Sequence, residues 1–197
     1  MRPSTFRLMR LVVAALFLAF VTVLGQVAIP LPFTPVPITG QTLGVMLAGA
    51  LLGARLGFLS MALFVLLVAV GLPLLSSGKG GIGALLGPTG GYVLGFPVAA
   101  GVTGWLVERF EKGGRPVGPA KLFAAIAAGG LVVEYVLGAS WLAVVASLTP
   151  VQALVNGVLP FIPGDVLKAV LAALLAAAIR RAYPVRQRLG GVPMGQA

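Results

Sequence analysis

The sequence has 197 residues, of which 59% are hydrophobic and only 9% are charged. Soluble domains carry about 25% charged residues, because a surface in water needs them, so most of this chain's surface faces lipid. The formal net charge of +10 therefore indicates orientation in a membrane rather than nucleic-acid binding. Cysteine and histidine are both absent, which excludes disulfides, histidine triads and most zinc, copper or haem sites. We expect no cofactor.

The first apolar run covers residues 8–28 and follows Arg2, Arg7 and Arg10. Its length suits a membrane-spanning helix, which needs about 20 mostly apolar residues. A basic start before an apolar middle is also typical of a signal peptide. We favour the spanning helix, because no clear small-x-small cleavage site follows and the chain keeps returning to apolar runs.

Further apolar runs alternate with irregular connections. The runs cover residues 42–54, 56–75, 92–107, 122–148 and 165–179. The connections include a proline-rich segment, IPLPFTPVPITGQ at 29–41, whose proline density prevents a helix and favours an extended loop. A glycine-rich segment at 76–92 and a proline-bearing turn at 149–164 also break the helical pattern. The sequence predicts an all-α integral membrane protein with six transmembrane helices in a single domain, residues 1–197.

The basic residues predict how these six helices are oriented. With a cytoplasmic N-terminus, all but two of the 14 lysines and arginines fall in cytoplasmic segments, at positions 2, 7, 10, 55, 109, 112, 115, 121, 180, 181, 186 and 188. The exceptions are Lys79 and Lys168. Short loops rich in Lys and Arg mark the cytoplasmic side. We therefore expect both termini in the cytoplasm and a multi-pass protein of the plasma membrane.

The proline-rich segment, the glycine-rich segment and the FIPGD turn at 161–165 all face outward in this topology. Irregular backbone near membrane depth is tolerated where it is buried in protein or lines a cavity. Taken singly, these prolines and glycines are explained equally well as ordinary connectors. Taken together, with two charges beside them, the three segments predict a lidded pocket at the outer ends of the helices.

Those two charges are Asp165 and Lys168, in FIPGDVLKAV at residues 161–170. Asp165 follows a helix-breaking Pro-Gly pair and is well placed to cap the last helix. Capping does not account for Lys168, which lies one turn inside the helix. Inserting a lysine into a spanning helix costs roughly 2.5–3.5 kcal/mol near the bilayer centre, so its presence needs another explanation. Positions i and i+3 share a helix face, so we expect the two side chains to pair. Paired charges in a membrane are typical of a functional site, although an internal pair without a ligand is the alternative.

Other candidates for the pocket are less specific. Glu134 is the other acid inside an apolar run, and the sequence leaves open whether it faces the pocket or a partner helix. GPTGGY at 87–92 lacks the spacing of a nucleotide-binding P-loop and favours a nest for a carboxylate, formed around Thr89, Gly90 and Gly91. Aromatic side chains that would form apolar walls are Phe33, Tyr92, Tyr135 and Trp141.

Three motifs, in this order and at these spacings, carry a family resemblance: PFTPVPITGQTLGVMLAGALLG, GKGG followed by GPTGGY, and FIPGDVLKA. They resemble the biotin transporter BioY family, and the resemblance extends from the first helix to the sixth. It implies a six-helix substrate-binding S component of an energy-coupling factor (ECF) transporter, with a high-affinity biotin pocket on the outer side. The implied partners are a transmembrane coupling subunit and paired ATP-binding-cassette ATPases, so the chain itself is not expected to be an enzyme.

The resemblance also implies roles for individual residues. Asp165 and Lys168 match the family's acidic and basic positions, which implies that Asp165 accepts a ureido N–H of biotin. With biotin as the ligand, its chemistry suggests that Lys168 holds Asp165 charged and donates to the ureido oxygen or another polar group, and makes Lys79, in the 76–91 loop, a candidate for the biotin carboxylate. Ala15 and Ala19, a small-x-x-x-small pair that is weak evidence alone, resemble the alanine motif by which S components contact the coupling subunit.

Alternative functions remain open from the sequence. The main one is another vitamin or small heterocycle bound on the same scaffold. An integral membrane enzyme that uses Asp165 and Lys168 as an acid–base pair would need more converging polar residues than this chain has. An ion- or proton-coupled channel is a further alternative. The sequence holds no P-loop motif, so ATP-driven transport would depend on partners.

Overall fold

Helices dominate the computed structural model, which describes residues 3–111 and 117–182, with side chains from residue 8 onward. Four helical stretches in this part of the chain are long and apolar enough to cross a membrane: Leu8–Gln26, Gly90–Glu111, Pro119–Val145 and Ile162–Ala182. Two shorter apolar helices, Gln41–Leu52 and Ala54–Ala69, lie between the first and second of these. The protein is therefore a mostly helical, multi-pass membrane protein.

The elements follow one another as α1 (Pro3–Gln26), β1 (Ala28–Ile29), β2 (Ile38–Thr39), α2 (Gln41–Leu52), α3 (Ala54–Ala69), a 3₁₀ turn (Ser76–Gly78), α4 (Ile82–Leu86), α5 (Gly90–Glu111), α6 (Pro119–Ala127), a π-helical turn (Ala128–Val133), α7 (Glu134–Val145), α8 (Pro150–Gly157) and α9 (Ile162–Ala182). Residues Arg2, Lys112, Arg115, Arg186 and Arg188, which entered the predicted orientation, lie outside the described residues, as does the side chain of Arg7.

The proline-rich segment forms the predicted loop, and a small hairpin closes its base. β1 and β2 pair antiparallel, with Ala28 opposite Thr39 and Ile29 opposite Ile38. Two predicted loops instead contain the short helices α4 and α8. The second of these begins with a capping box, in which Thr149 Oγ1 accepts from Gln152 N at 3.3 Å and Gln152 Oε1 accepts from Thr149 N at 2.9 Å.

Helix α2 is too short to cross a bilayer unaided. Its 12 residues rise about 18 Å, against a hydrocarbon core of about 30 Å. Most of its residues are buried, and it packs against α1, α3, α5 and α9. Because protein rather than lipid surrounds its ends, its terminal backbone groups find partners within the bundle. At its C-terminal end, Arg180 Nη1 donates to Ala50 O at 2.7 Å.

The corner between α2 and α3 is built on Gly53, two residues before the break that the sequence indicated at Arg55. Its φ of +83° lies in the left-handed region, which favours glycine. A side chain of α5 caps the new helix, since Ala54 N donates to Glu108 Oε1 at 2.9 Å. Gly104 lets the corner approach α5, because a Cβ there would lie 2.3 Å from Ala54 N.

Two apolar clusters hold the bundle together. One joins α1, α2, α3 and α5 through buried side chains that include Val21, Val45, Phe64 and Phe96. The other packs Leu122 and Ile126 of α6 against the alanine face of α9, formed by Ala169, Ala172, Ala173 and Ala176. Small residues at this spacing let neighbouring helices approach closely in a membrane. The two clusters fix α2, α5 and α9 relative to one another, and these helices carry most of the site described next.

Candidate functional site

A cavity of about 720 Å³ lies among α2, α5, α7 and α9. Its wall includes residues 35–39 of the proline-rich segment, parts of the glycine-rich segment from Leu75 to Thr89, and Phe161 of the FIPGD turn. The three irregular segments that the sequence predicted to converge therefore line one cavity. A volume of this size suits a small organic ligand, whose sites measure about 300–1,000 Å³.

Asp165 is the centre of a polar network in the cavity wall. Its Oδ1 accepts from Lys168 Nζ at 2.7 Å and from Thr42 Oγ1 at 3.3 Å. Its Oδ2 accepts from the Tyr135 hydroxyl at 2.7 Å. The side chain is thus bonded to α2, α7 and α9 rather than capping its own helix, which begins at Ile162. The predicted pairing with Lys168 is confirmed.

Lys168 ties α9 to the proline-rich hairpin. Besides the bond to Asp165, its Nζ donates to Thr39 O at 2.6 Å and to Thr42 Oγ1 at 3.1 Å. An ammonium group has three N–H donors, and three protein acceptors surround this one. Lys168 therefore holds both the carboxylate and the hairpin. To donate to a ligand as well, it would have to release one of these partners.

The structure brings most of the predicted substrate-binding residues to this cavity. Asp165, Lys168, Lys79, Thr89, Tyr92 and Tyr135 all line it. Tyr92 is fixed by its hydroxyl, which donates to Gly157 O at 2.6 Å. Lys79 follows the 3₁₀ turn and comes from the glycine-rich segment, so its ammonium and the Asp165 network enter the wall from different elements.

The remaining four predicted residues, Phe33, Gly90, Gly91 and Trp141, are not among the residues that line the cavity. Phe33 is exposed in the proline-rich segment. Trp141 lies behind the 87–92 loop, where its Nε1 donates to Gly87 O at 3.0 Å. The two glycines make room for close packing: a Cβ on Gly91 would lie 2.1 Å from Trp141 Cβ, and one on Gly90 would lie 1.7 Å from Leu85 O. Trp141, Gly90 and Gly91 therefore support the cavity wall from behind, and Phe33 takes no part in it.

Among the cavity residues that the sequence did not identify as site residues, two are buried and polar: Glu134 and Gln41. Glu134 is only 2% exposed and lines the cavity, which answers the question that the sequence left open. Gln41, at the start of α2, is 4% exposed and also lines it. Glu134 Oε2 and Gln41 Nε2 are buried without a hydrogen-bond partner among the described residues. The available signals were a lone acid four residues after a Gly-Gly pair and a glutamine at the end of the proline-rich segment.

Ala15 and Ala19 lie away from this cavity, on the exposed side of α1. They are four residues apart and so share a helix face. Large apolar side chains on the same helix, among them Leu11, Leu16 and Phe20, are exposed as well. This surface is suited to contact with lipid or with another membrane helix.

The fold and the cavity define a multi-pass membrane protein with a ligand-sized cavity among its helices. The chain belongs to the BioY family, whose model matches residues 1–185. It is 48% identical over 178 residues to the biotin transporter BioY of Rhizobium etli, covering 89% of this chain and 95% of the relative. It is 45% identical over 180 residues to the biotin transporter BioY of Rhodobacter capsulatus, covering 86% and 92%. A solved structure, the S-component for biotin from an ECF-type ABC transporter at 2.1 Å, matches with a TM-score of 0.85 and 31% identity, covering 92% of this chain and 95% of that one.

Proposed function

We propose that the protein binds biotin in this cavity and takes part in biotin uptake as the S component of an ECF transporter. The observation that carries the proposal is the Asp165 network in the wall of a ligand-sized cavity, in a chain of the BioY family. Two relatives that are biotin transporters and align over most of this chain support the substrate. The biotin S-component with a TM-score of 0.85 supports the transporter class.

The composition of the cavity wall fits the chemistry of biotin. Biotin has a largely apolar fused ring, a cyclic urea and a carboxylate on a flexible chain. Val93, Phe96 and Phe161 offer apolar surface to the ring. Asp165 already accepts from three protein donors, and a carboxylate has about four acceptor positions, so one remains for a urea N–H. Lys79 is a cation for the biotin carboxylate.

In this proposal the single domain of residues 1–197 crosses the plasma membrane six times, with both termini in the cytoplasm. The four long helices and the two shorter ones, α2 and α3, are the six crossings. The one-sided distribution of lysine and arginine supports this orientation. The cavity then opens on the outer side, where substrate is captured.

The proposed partners are a transmembrane coupling subunit and the ATP-binding-cassette ATPases that energise it. Ala15 and Ala19 are exposed on one face of α1, where small side chains would let a partner helix approach closely. Large side chains there should block docking without touching the cavity. We expect Ala15→Trp and Ala19→Trp to abolish biotin uptake by cells while the purified variants bind biotin within threefold of the native protein.

The test of the substrate is calorimetry on the full chain purified in detergent. We expect biotin to bind tightly with a stoichiometry near one to one, while thiamine and riboflavin give no heat of binding. Absence of biotin binding by a monodisperse native protein would contradict the proposed substrate. Binding of another vitamin instead would keep the scaffold and change its ligand.

A further inference from the structure

Two buried side chains in the cavity wall each have a polar atom available to a ligand. Glu134 Oε2 and Gln41 Nε2 are buried and have no partner among the described residues, although both side chains line the cavity. Burying a polar group without a partner is unfavourable, so such groups in a native protein are typically satisfied by something else. A ligand in the cavity is the group best placed to bond them.

The neighbouring charged pair, Asp165 and Lys168, is by contrast hydrogen-bonded within the protein. Lys168 Nζ is surrounded by three protein acceptors, which matches its three N–H donors. Asp165 accepts three hydrogen bonds, which leaves about one acceptor position, on Oδ2. Beside this pair, the buried groups of the wall with unused capacity are therefore acceptors on Asp165 and Glu134 and the amide N–H groups of Gln41, while Lys79 adds an ammonium from the glycine-rich segment.

The groups on Asp165, Glu134 and Gln41 match a cyclic urea, which presents two N–H donors and one carbonyl acceptor. We propose that Glu134 and Gln41 determine specificity for the urea of the ligand. Glu134 accepts one urea N–H while Asp165 accepts the other, and Gln41 Nε2 donates to the urea oxygen. Lys168 is then a positioning residue that acts through Asp165 and the hairpin. The inference rests on the proposed function, since it takes biotin as the ligand.

Close packing at glycines positions the backbone before Glu134 and the side chain of Gln41. Glu134 directly follows the π-helical turn Ala128–Val133, whose wider turn rotates the residues after it relative to α6. That turn is held by two glycines: a Cβ on Gly129 would lie 2.1 Å from Thr103 Oγ1, and one on Gly130 would lie 2.5 Å from Met46 Cγ. Gln41 packs against Gly25 of α1, where a Cβ would lie 2.8 Å from Gln41 Nε2.

The experiment for Glu134 combines substitutions with modified ligands, measured by calorimetry on the purified full chain. Glu134→Leu removes the acceptor at similar size, and Glu134→Gln keeps one acceptor oxygen. We expect Glu134→Leu to weaken biotin binding at least tenfold and Glu134→Gln to weaken it less. The modified ligands are two biotins, each methylated on one of the two urea nitrogens. The native protein should bind both at least tenfold more weakly than biotin.

The combination separates a hydrogen bond from a general effect on packing. In Glu134→Leu, one methylated biotin should bind within threefold of biotin itself, because the N–H that it lacks no longer has an acceptor. The other methylated biotin should still be discriminated against, because Asp165 is intact. If Glu134→Leu binds biotin within threefold of native, or discriminates against both methylated ligands as native does, the assignment of Glu134 is wrong.

A second arm tests Gln41 and does not depend on Glu134. Gln41→Glu keeps the shape of the side chain that packs on Gly25 but replaces the donor with an acceptor. We expect it to weaken biotin binding at least tenfold, with a thermal unfolding midpoint close to native. Binding within threefold of native would overturn the donor role.

Three further outcomes are distinguishable. If Glu134→Leu does not fold, the native protein alone still tests the assignment: a methylated biotin that binds native within threefold of biotin would show that only one urea N–H is recognised, and would overturn it. Absence of biotin binding by the native protein would contradict the proposed function instead. Tight biotin binding that is indifferent to Glu134 and Gln41 would contradict only this inference.

Discussion

Helix α9 carries a charged cluster near each end, and the two clusters use their partners differently. Near its start, Asp165 and Lys168 bond side chains and backbone of α2, α7 and the hairpin around a cavity. Fifteen residues later, about 22 Å along the helix, Arg180 bonds Glu111 of α5 and Ala50 O of α2. Both clusters fasten α9 to α2, but only the first lines the cavity.

The two charged clusters have different roles in the helix bundle. At the Arg180 end, the charged groups bond the backbone of two helix termini: Arg180 caps the last turn of α2 and Glu108 caps the first turn of α3. At the Asp165 end, neighbouring polar atoms of Gln41 and Glu134 have no hydrogen-bond partner within the described part of the chain. The first arrangement stabilises the corner between helices, and the second retains capacity for a ligand.

The largest expected effect comes from removing the lysine of the cavity cluster. Lys168→Met keeps the length of the side chain but leaves Asp165 buried without its cation. Breaking a buried pair in this way costs about 3–5 kcal/mol, so the thermal unfolding midpoint should fall strongly. The matched control is Lys121→Met, since Lys121 is exposed and lies outside the cavity. Equal midpoints for the two variants would mean that the Lys168 network does not hold the fold.

The second prediction concerns the support behind the cavity wall. Gly91→Ala places a Cβ 2.1 Å from Trp141 Cβ, and overpacking of this kind costs about 1–3 kcal/mol. We expect a lower thermal unfolding midpoint and weaker biotin binding, because the 87–92 loop must shift. Gly164→Ala is the control, since a Cβ there meets nothing within 4 Å. If both alanine variants unfold at the same temperature, the close packing on Trp141 is not needed.

At the other end of α9, Arg180→Met should lower stability without changing the ligand site. It removes the bonds to Ala50 O and Glu111, and hydrogen bonds to charged groups are worth about 1.5–3 kcal/mol each. We expect a reduced unfolding midpoint with biotin affinity within threefold of native. The adjacent Arg181→Met is the control, because Arg181 is exposed. A tenfold loss of affinity in Arg180→Met would show that the two ends are coupled.

The smallest effect is expected at α8, which belongs to neither cluster. Thr149→Ala removes the capping box with Gln152, and the loss of such an N-cap costs about 1 kcal/mol. Hydrogen exchange measured by mass spectrometry should show faster exchange confined to residues 150–157. Thr149→Ser retains the hydroxyl and should exchange like native. Unchanged exchange in Thr149→Ala would mean that packing alone maintains this helix.

Much of the cavity end of α9 could be predicted from the sequence, because its signals lie between residues that are close together in the chain. The pairing of Asp165 with Lys168 follows from their spacing of three on one helix, and the scarcity of charge in the chain drew attention to it. The loop at 29–41 follows from its prolines, and its hairpin is a detail within that loop. The family resemblance was confirmed by the match over residues 1–185.

What the sequence did not predict depends on contacts between distant segments. Thr39 and Thr42 join Lys168 from more than 120 residues away, and no spacing rule relates them. The direction in which Glu134 points depends on the π-helical turn before it. Such a turn shifts the helical register, so a prediction that assumes 3.6 residues per turn cannot place this side chain. The short length of α2 reflects its burial inside the bundle, whereas a span prediction by length assumes that the helix meets lipid at both ends.

The central claim is that the cluster around Asp165, and not the one around Arg180, belongs to the ligand site. The most direct measurement is a calorimetric titration of biotin into the native protein, Asp165→Asn and Arg180→Met, each confirmed as monodisperse in detergent. Our account predicts that Asp165→Asn binds at least tenfold more weakly than native, about 1.4 kcal/mol, while Arg180→Met binds as native does. Native-like binding by Asp165→Asn would contradict it.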